Sequence, residues 1–511
     1  MFTTTVRRPT PWEMYWCNTG YTSTWFNGRH RQGGRELRDE ESDVRDYHPP
    51  PAGGLARWNP MTRKPVFNRA VTALLVAVAL CSSEAVAAQE EFSWQTAPTE
   101  AFQAQLTIKE AILRAFARNP KIAQASAQIQ VGKANLSEAE SAWFPQIALT
   151  GNAGRSHRTD SAGSLNSNAA AGLNLKQLLW DFGKTGGSIN EQENLSTAYQ
   201  YDLYSTLNQV GMETLQSYLQ VKRYQTLANA AERNRSSLEA VREMAKLRAG
   251  AGLSSQSDVL QASTRIAAMN ATYEQYRAQM RSAQASLSVL TGVISDNLPD
   301  LPDDLMKQKI SLKSLPYDQN NAVRSAQAKQ LASEERIRQA KAQHYPTLSV
   351  QAGRTRYQND NGDYWDDEVQ LVVDAPLYQG GAVSARVDAA EGDRANARAQ
   401  VEASKLDVNQ KAATAWADLT GAQQRQQAGE LQLLSAGQAR GVYRDEYQLS
   451  KRSLNDLLSV EQDVFSAESA AILARYDAWD AAVRYAGAVD NLLDMLGIER
   501  TRLTGDTLPS L

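Results

Sequence analysis

Three groups of residues have types and spacings that could do chemistry. Gly183-Lys184-Thr185 matches the end of a phosphate-binding loop, in which glycine backbone and lysine cradle a nucleotide. The glycine that such a loop needs five positions earlier is Leu178, so little weight falls on the match. His157 and His344 are the only histidines beyond a predicted signal segment, and both cysteines, Cys17 and Cys81, lie upstream of its cut. A zinc site needs about four nitrogen, sulfur or carboxylate ligands, so none is expected. No Ser–His–Asp arrangement suggests a nucleophile. The chain reads as a non-enzyme without cofactor or metal. The third group is a pair of acids, Asp258 and Asp456, each three residues after a serine (Ser255, Ser453). Ser-x-x-Asp is also a helix capping box, with the acid favoured by the helix dipole. Capping would account for both aspartates. It does not account for Tyr447 and Arg452, which stand beside the second.

The elements that must carry these residues are made twice. In Ala171–Ser188, Ala171, Leu173 and Leu175 alternate with polar Asn174 and Lys176; in Val369–Ser384, Val369, Leu371 and Val373 alternate with Gln370 and Asp374. That is the period of a strand with one apolar and one wet face. Each passes through an apolar–aromatic pair (Leu179-Trp180, Leu377-Tyr378) and a glycine (Gly183, Gly381) into a long proline-free run rich in Ala, Gln and Leu. Leu377 minus Leu179, Gly381 minus Gly183 and Asp456 minus Asp258 all equal 198. A constant offset over such a distance requires intervening helices of equal length, hence an internal repeat. The halves also share an ending, Leu290-Thr291-Gly292 and Leu496-Gly497, where the glycine offset grows to 205 by one heptad.

With 511 residues there is length for three ordinary domains, yet the repeat argues for one elongated unit. A net charge of −3 leaves no basic footprint for nucleic acid. Aromatics at 7% suit helix pairs better than a large globular core. Residues 1–60 show no periodicity and read as disordered or as a mis-assigned extension. Residues 61–88 read as a secretory signal: Arg63, Lys64 and Arg69, an apolar core from Ala70 to Leu80, and Ala85-Val86-Ala87-Ala88 at the cut. The expected mature N-terminus is Ala88 or Gln89, and translation is expected from Met61. A lipid anchor on Cys81 is disfavoured by the bulky Leu80 before it.

The first repeat is expected over 100–292 with strands at about 144–156 and 169–180, the second over 315–497 with strands at about 346–357 and 367–377, and a tail at 498–511. Thr107-x-x-Glu110 predicts a capping box at the first helix. Polar loops are placed at Ser156–Asn168 and Gln358–Asp366. Strands of about ten residues can cross a bilayer when tilted. Trp143, Phe144, Trp180, Phe182, Tyr345 and Tyr378 fall at one end of them, where an interfacial aromatic girdle would sit. Gln146, Thr150, Asn174, Lys176, Gln351, Gln370 and Asp374 then face a lumen and Leu173 and Leu371 face lipid. Four strands cannot close a barrel, so a membrane role needs several copies. Beyond Gly183, about 65 residues of helix, about 100 Å, lead to a turn at Gly250 and Gly252. Apolar residues are sparse along it, which implies coiled-coil packing rather than burial in a core.

The duplicated order of helix, x-x-Pro strand, polar loop, strand ending QLLWDFGKTGGS or APLYQGGAVS, long helix, glycine turn and returning helix resembles the TolC family of outer-membrane efflux and type I secretion channels. The resemblance covers about residues 100–500. It implies a mainly α fold with a small transmembrane β part: a homotrimer whose twelve strands form one outer-membrane barrel above a helical tunnel through the periplasm. It also implies a periplasmic adaptor (a membrane fusion protein) and an inner-membrane ABC or proton-driven transporter as partners. In the family, a tyrosine and an arginine five residues later clasp an aspartate of the other tip. Tyr447, Arg452 and Asp258 match those positions, which implies a periplasmic gate. The family's pair of ring-forming aspartates falls on Asp456 and Ser459, so only one is acidic here. The LLWDFGKTGG form leans towards secretion members over drug-efflux ones. The alternatives from the residues themselves are a soluble periplasmic coiled-coil adaptor, which would lack the four strands, and an envelope enzyme, which would need a catalytic site.

Overall fold

The computed structural model describes residues 101–157, 165–300, 315–359 and 362–498. Residues 1–60, the signal at 61–88 and the tail beyond Ile498 lie outside the described residues. The chain enters as a short strand β1 (Ala101–Phe102), then helices α1 (Ile108–Arg118) and α2 (Pro120–Ser141). Strands β2 (Gln146–His157) and β3 (Leu165–Trp180) follow, then α3 (Lys184–Gly250), α4 (Gln256–Thr291) and β4 (Val293–Ile294). The second half supplies α5 (Asn321–Ala342), β5 (Thr347–Asn359), β6 (Gly362–Asp374), α6 (Ala382–Gln448), α7 (Leu454–Ala488) and a single turn α8 (Leu492–Met495).

The four long strands form one antiparallel sheet in the order β2-β3-β5-β6. Both hairpins continue into the segments expected to be polar loops, and β6 runs from Gly362 to Asp374 rather than from 367 to 377. A ladder is held by backbone hydrogen bonds, which polar side chains do not interrupt; the loss of alternation there marks a change of surroundings, not the end of the strand. The far end of β6 stops before Ala375-Pro376, where proline lacks the N–H that pairing needs.

The helices repeat the order of the strands. Next to the sheet, α2 packs on α3, α3 on α5 and α5 on α6; further away α4 packs on α3, α3 on α7 and α7 on α6. Helices α3 and α6, each 67 residues, are therefore the two continuous rails. At 1.5 Å per residue each is about 100 Å long. The 198 offset holds throughout: Ala382 minus Lys184, Gln448 minus Gly250 and Leu454 minus Gln256 all give it.

The endings differ from the sequence reading. Helix α4 stops at left-handed Gly292 (φ 76°), and 198 residues on, α7 stops at left-handed Asp490 (φ 60°), not at Gly497. Asn491 N–H bonds to Ala486 O and Asp490 N–H to Gly487 O, a Schellman closure. The non-glycine residue is held there because its carboxylate accepts from the backbone and side-chain N–H groups of Asn321, at the start of α5. No extra heptad is needed; Gly497 ends the separate turn α8.

A dense core sits where α1, α3, α7 and α8 meet. Ile112 and Phe116 pack with Leu203, Leu207, Tyr218, Trp479, Val483, Leu492 and Leu493. The fully buried Tyr218 donates its hydroxyl to Pro299 O at 2.7 Å. The middle of α3 is thus buried in a true core, contrary to the coiled-coil expectation, because α1 and α8 cover it. The Thr107 cap on α1 is half of the expected box: Glu110 N–H donates to the Thr107 hydroxyl at 3.3 Å, while the Glu110 carboxylate accepts from Gln103 and Arg114 instead.

Candidate functional site

Register sorts the side chains of the sheet into rows. Gln146, Lys176, Gln351 and Gln370 lie directly across from one another, and the next row on that face is Ala148, Asn174, Gly353 and Glu368. A third row holds Thr150, Gly172, Thr355 and Asp366. Asn174 donates to the Thr150 hydroxyl at 3.0 Å. Gly172 has no substitute here, since a Cβ would lie 2.3 Å from Thr355 Oγ1. This is one continuous polar face. The other face carries Ile147, Leu175, Ala352 and Val369, then Leu149, Leu173, Arg354 and Asp367. Leu149 and Val369 are 81% and 80% exposed, and Leu371 62%. Large apolar side chains at such exposure on one face mark a surface meant for something other than water.

The sequence reading missed how that apolar face ends. The Arg354 Nε lies 3.3 Å from Asp367 Oδ1, its guanidinium 4.7 Å from the Trp365 ring centre, and Arg356 pairs with Asp363 at 2.7 Å. On the polar face Tyr357 and Tyr364 stack at 5.1 Å. The signal is present as a break in alternation after Ala352, where Arg354 and Arg356 stand within the expected strand, while Asp363 and Trp365 fall in the segment expected to be a loop.

At the helical end of the sheet the six aromatic residues of the proposed girdle are all exposed, Trp143 least at 37% and Tyr378 most at 87%. Phe182 stacks on Tyr345 at 5.4 Å and meets Trp180 edge-on at 6.1 Å. The strand-to-helix turn explains Trp180-Asp181-Phe182-Gly183. Phe182 and Gly183 are both left-handed (φ 57° and 94°), and buried Asp181 accepts from Gly183 N–H (3.0 Å) and Thr185 N–H (2.6 Å). Lys184 reaches Tyr345 O and Thr347 Oγ1, tying the turn to the second repeat. Glycines, Gly380 and Gly381, fill the corresponding pair in the second half. Asp181→Ala is expected to destabilise by about 1–2 kcal/mol through the lost cap, whereas Phe182→Gly trades about 1–3 kcal/mol of backbone strain for the lost stacking. Urea unfolding of the two variants checks the contrast; equal losses would refute the cap.

At the far end of the rails both turns close alike. Leu253 N–H bonds to Arg248 O and Gly252 N–H to Ala249 O; Lys451 N–H bonds to Glu446 O and Ser450 N–H to Tyr447 O. Ser450 takes the left-handed place (φ 61°) that Gly252 takes in the first turn. Asp456 and Ser453 make a reciprocal capping box, at 3.2 Å in both directions. Asp258 does not, because the Ser255 hydroxyl accepts from Ser257 N–H instead. Capping therefore accounts for Asp456 and leaves the Asp258 carboxylate uncommitted to the helix. Tyr447 is buried, 2% exposed, with the Arg248 guanidinium 4.8 Å from its ring centre. Its hydroxyl finds no hydrogen-bond partner among the described residues. Burial pushes the Tyr447 phenol up, Arg248 pulls against it and the Asp258 charge adds to the rise, so it stays protonated. Arg452 pairs with Glu446 at 2.9 Å and lies 4.2 Å over the Tyr443 ring. The four gate residues of the sequence reading thus share one end of the molecule. Within the chain and among the described residues, no hydrogen bond joins Tyr447 or Arg452 to Asp258.

Further along the rails, three helices converge on Glu461, which is 0% exposed. It accepts from Ser237 of α3 at 2.8 Å and pairs with Arg444 (3.2 Å) and Arg440 (3.8 Å) of α6. Asn234 of α3 donates to the Glu461 backbone carbonyl. Sequence alone gave no sign of this knot.

The geometry defines a class: a duplicated helical-hairpin protein whose small sheet has a polar face, an apolar exposed face and, among the described residues, two unpaired edges. The chain belongs to the outer membrane efflux protein family, whose model matches residues 111–293 and 315–488, one segment in each repeat. It is 25% identical over 412 residues to the outer membrane efflux protein BepC of Brucella suis, covering 77% of this chain and 87% of that protein. It is 23% identical over 406 residues to the outer membrane protein TolC of Salmonella enteritidis, covering 75% and 82%. Among solved structures, VceC of Vibrio cholerae shares the fold with a TM-score of 0.65 at 17% identity, covering 75% of this chain and 96% of that one. The chain is an outer-membrane protein of the efflux-channel type. No described helix is long and apolar enough to cross a membrane.

Proposed function

We propose that three copies of the chain close their four-stranded sheets into one twelve-stranded barrel in the outer membrane, continued through the periplasm by the paired rails as an export duct. The observation that carries this reading is the sheet itself. Its edge strands β2 and β6 each have one side without a partner strand among the described residues, and its leucine face is exposed. An open edge cannot remain in lipid, because each unpaired backbone group there costs several kcal/mol. Pairing β6 of one copy with β2 of the next satisfies every edge at once. The polar rows of Gln146, Lys176, Gln351 and Gln370 then line the lumen. The aromatic residues around Phe182 and Tyr345 sit at the periplasmic interface, where amphipathic rings are favoured. The duct needs no catalytic residue, since lumen and constriction decide what passes. A periplasmic adaptor and an inner-membrane transporter supply opening and energy, and the turns at Gly252 and Ser450 form the gate they act on.

Leu173→Arg or Leu371→Arg, on the lipid side of this assignment, is expected to cost about 2–4 kcal/mol near the membrane midplane. Gln351→Asn on the lumen side is expected to be tolerated. Quantifying each variant in outer-membrane fractions tests the assignment; arginine variants present at parental levels would reverse the inside and outside.

A further inference from the structure

We propose that Arg248 is the positioning residue that holds the two tips of one chain together and keeps the duct shut. The inference rests on the gate reading above and names the group that enforces it. Arg248 lies in the last turn of α3, yet its side chain leaves its own coil. One guanidinium nitrogen donates to Tyr447 O at 2.8 Å and Gln448 O at 3.1 Å, and the other to Ser450 Oγ at 2.9 Å. Its plane covers the Tyr447 ring at 4.8 Å. One residue of the first tip therefore binds the last carbonyls of α6, the hydroxyl of the left-handed Ser450 and the buried tyrosine together. Each contact suits an arginine. The C-terminus of a helix carries partial negative charge, the planar fork spans several acceptors at once, and the delocalised cation stacks on an aromatic face.

The repeat shows that this link is not a by-product of the duplicated fold. Position 446, 198 residues after Arg248, is Glu446, of opposite charge, and it binds Arg452 of its own turn. Among the described residues the second tip offers no counterpart of this fork; its Gln448 reaches back only to the Met244 thioether, at 3.5 Å. Tyr447, under the Arg248 guanidinium, belongs to the same buried cluster as Val241, Ala245 and Val259 of the first tip. A tip that must swing outwards to open the duct has to break the Arg248 contacts or carry the other tip with it. Ser450 is part of the link: a serine at φ 61° is strained, and its hydroxyl is what Arg248 grips.

Single-channel conductance in planar bilayers, measured beside heat resistance of the oligomer, tests the proposal. Arg248→Ala is expected to raise conductance several-fold with the oligomer intact. Arg248→Lys, which keeps the charge and the stem, is expected to raise it less, because one ammonium cannot span the same acceptors. Ser450→Gly removes one acceptor and the strain together, and is expected to open the channel slightly without loss of heat resistance. Parental conductance of Arg248→Lys and Arg248→Ala, in a channel that Tyr447→Phe with Arg452→Ser does open, would overturn the role of Arg248 and leave the gate reading intact. If none of these variants changes conductance, the gate reading itself fails. Should Arg248→Ala lose the oligomer, the lysine variant decides: parental conductance there overturns the proposal.

Discussion

Replacing Arg440 and Arg444 together by alanine is expected to destabilise the paired rails by about 3 kcal/mol. The reason is the group left behind. Glu461 is fully buried among α3, α6 and α7, and among the described residues the cations paired with it are these two. A buried carboxylate stripped of its partners typically costs about 3–5 kcal/mol. The low end applies because the arginines are themselves more than a third exposed, so water can follow where they leave. Ser237 softens the loss by one hydrogen bond and does not remove the charge. Adding Glu461→Leu to the double variant should recover most of the loss, since the triple variant leaves no unpaired charge. Thermal unfolding of the solubilised protein, followed by helical signal, reads both steps. A double variant that unfolds at the parental temperature would show that the knot is not what joins the three helices.

The second large effect concerns passage. Tyr447→Phe with Arg452→Ser is expected to raise single-channel conductance several-fold. In the single chain Arg452 is held by Glu446 and Tyr443, both in its own coil, and its side chain remains partly exposed. In the proposed closed ring of three chains that surface would meet a neighbouring tip, where Asp258 carries a carboxylate that no cap engages. Exposed contacts of this kind contribute about 0–1 kcal/mol each. Repeated around the proposed ring they would set a balance between closed and open tips of a few kcal/mol, which two substitutions per chain could tip. Asp258→Asn should act in the same direction. Asp456→Asn should instead weaken α7 at its start, because Asp456 is spent on the Ser453 box. Unchanged conductance in the double variant, with oligomers of parental stability, would leave Tyr447 and Arg452 as packing and capping groups only.

Much of the architecture was legible because it is periodic. The alternation in Ala171–Leu175 and Val369–Val373 gave both faces of the sheet, and the constant offset of 198 gave rails of equal length, as α3 and α6 are. What escaped was structure without a period. Polar hairpin ends look like loops because the alternation stops, although the backbone ladder continues through Gln358 and Asp363. The helix stop at Asp490 was hidden because the left-handed residue is not a glycine and is held by contacts with Asn321, 169 residues earlier in the chain. Arg248 and Glu461 were invisible for a related reason. The partners of Arg248 lie 199 or more residues away; Glu461 meets Ser237 from 224 residues away and Arg440 and Arg444 from the preceding helix, across a turn, and no local pattern encodes such pairings. The tip aspartates were readable only as a pair; geometry separated the one that caps from the one that does not.

The central claim is that the sheet is completed by copies of the same chain, and cysteine cross-linking across the β2 and β6 edges tests it most directly. Both natural cysteines, Cys17 and Cys81, precede the expected mature N-terminus, so introduced thiols would stand alone. Single cysteines along Ile147–Gly151 combined with single cysteines along Val369–Val373 scan the neighbouring edges without assuming their register. On oxidation in outer-membrane fractions, at least one pair is expected to give a denaturant-resistant ladder of two and three chains that ends at three. Cross-links confined within one chain at every pairing, or a ladder that runs on past three, would contradict the closed twelve-stranded barrel.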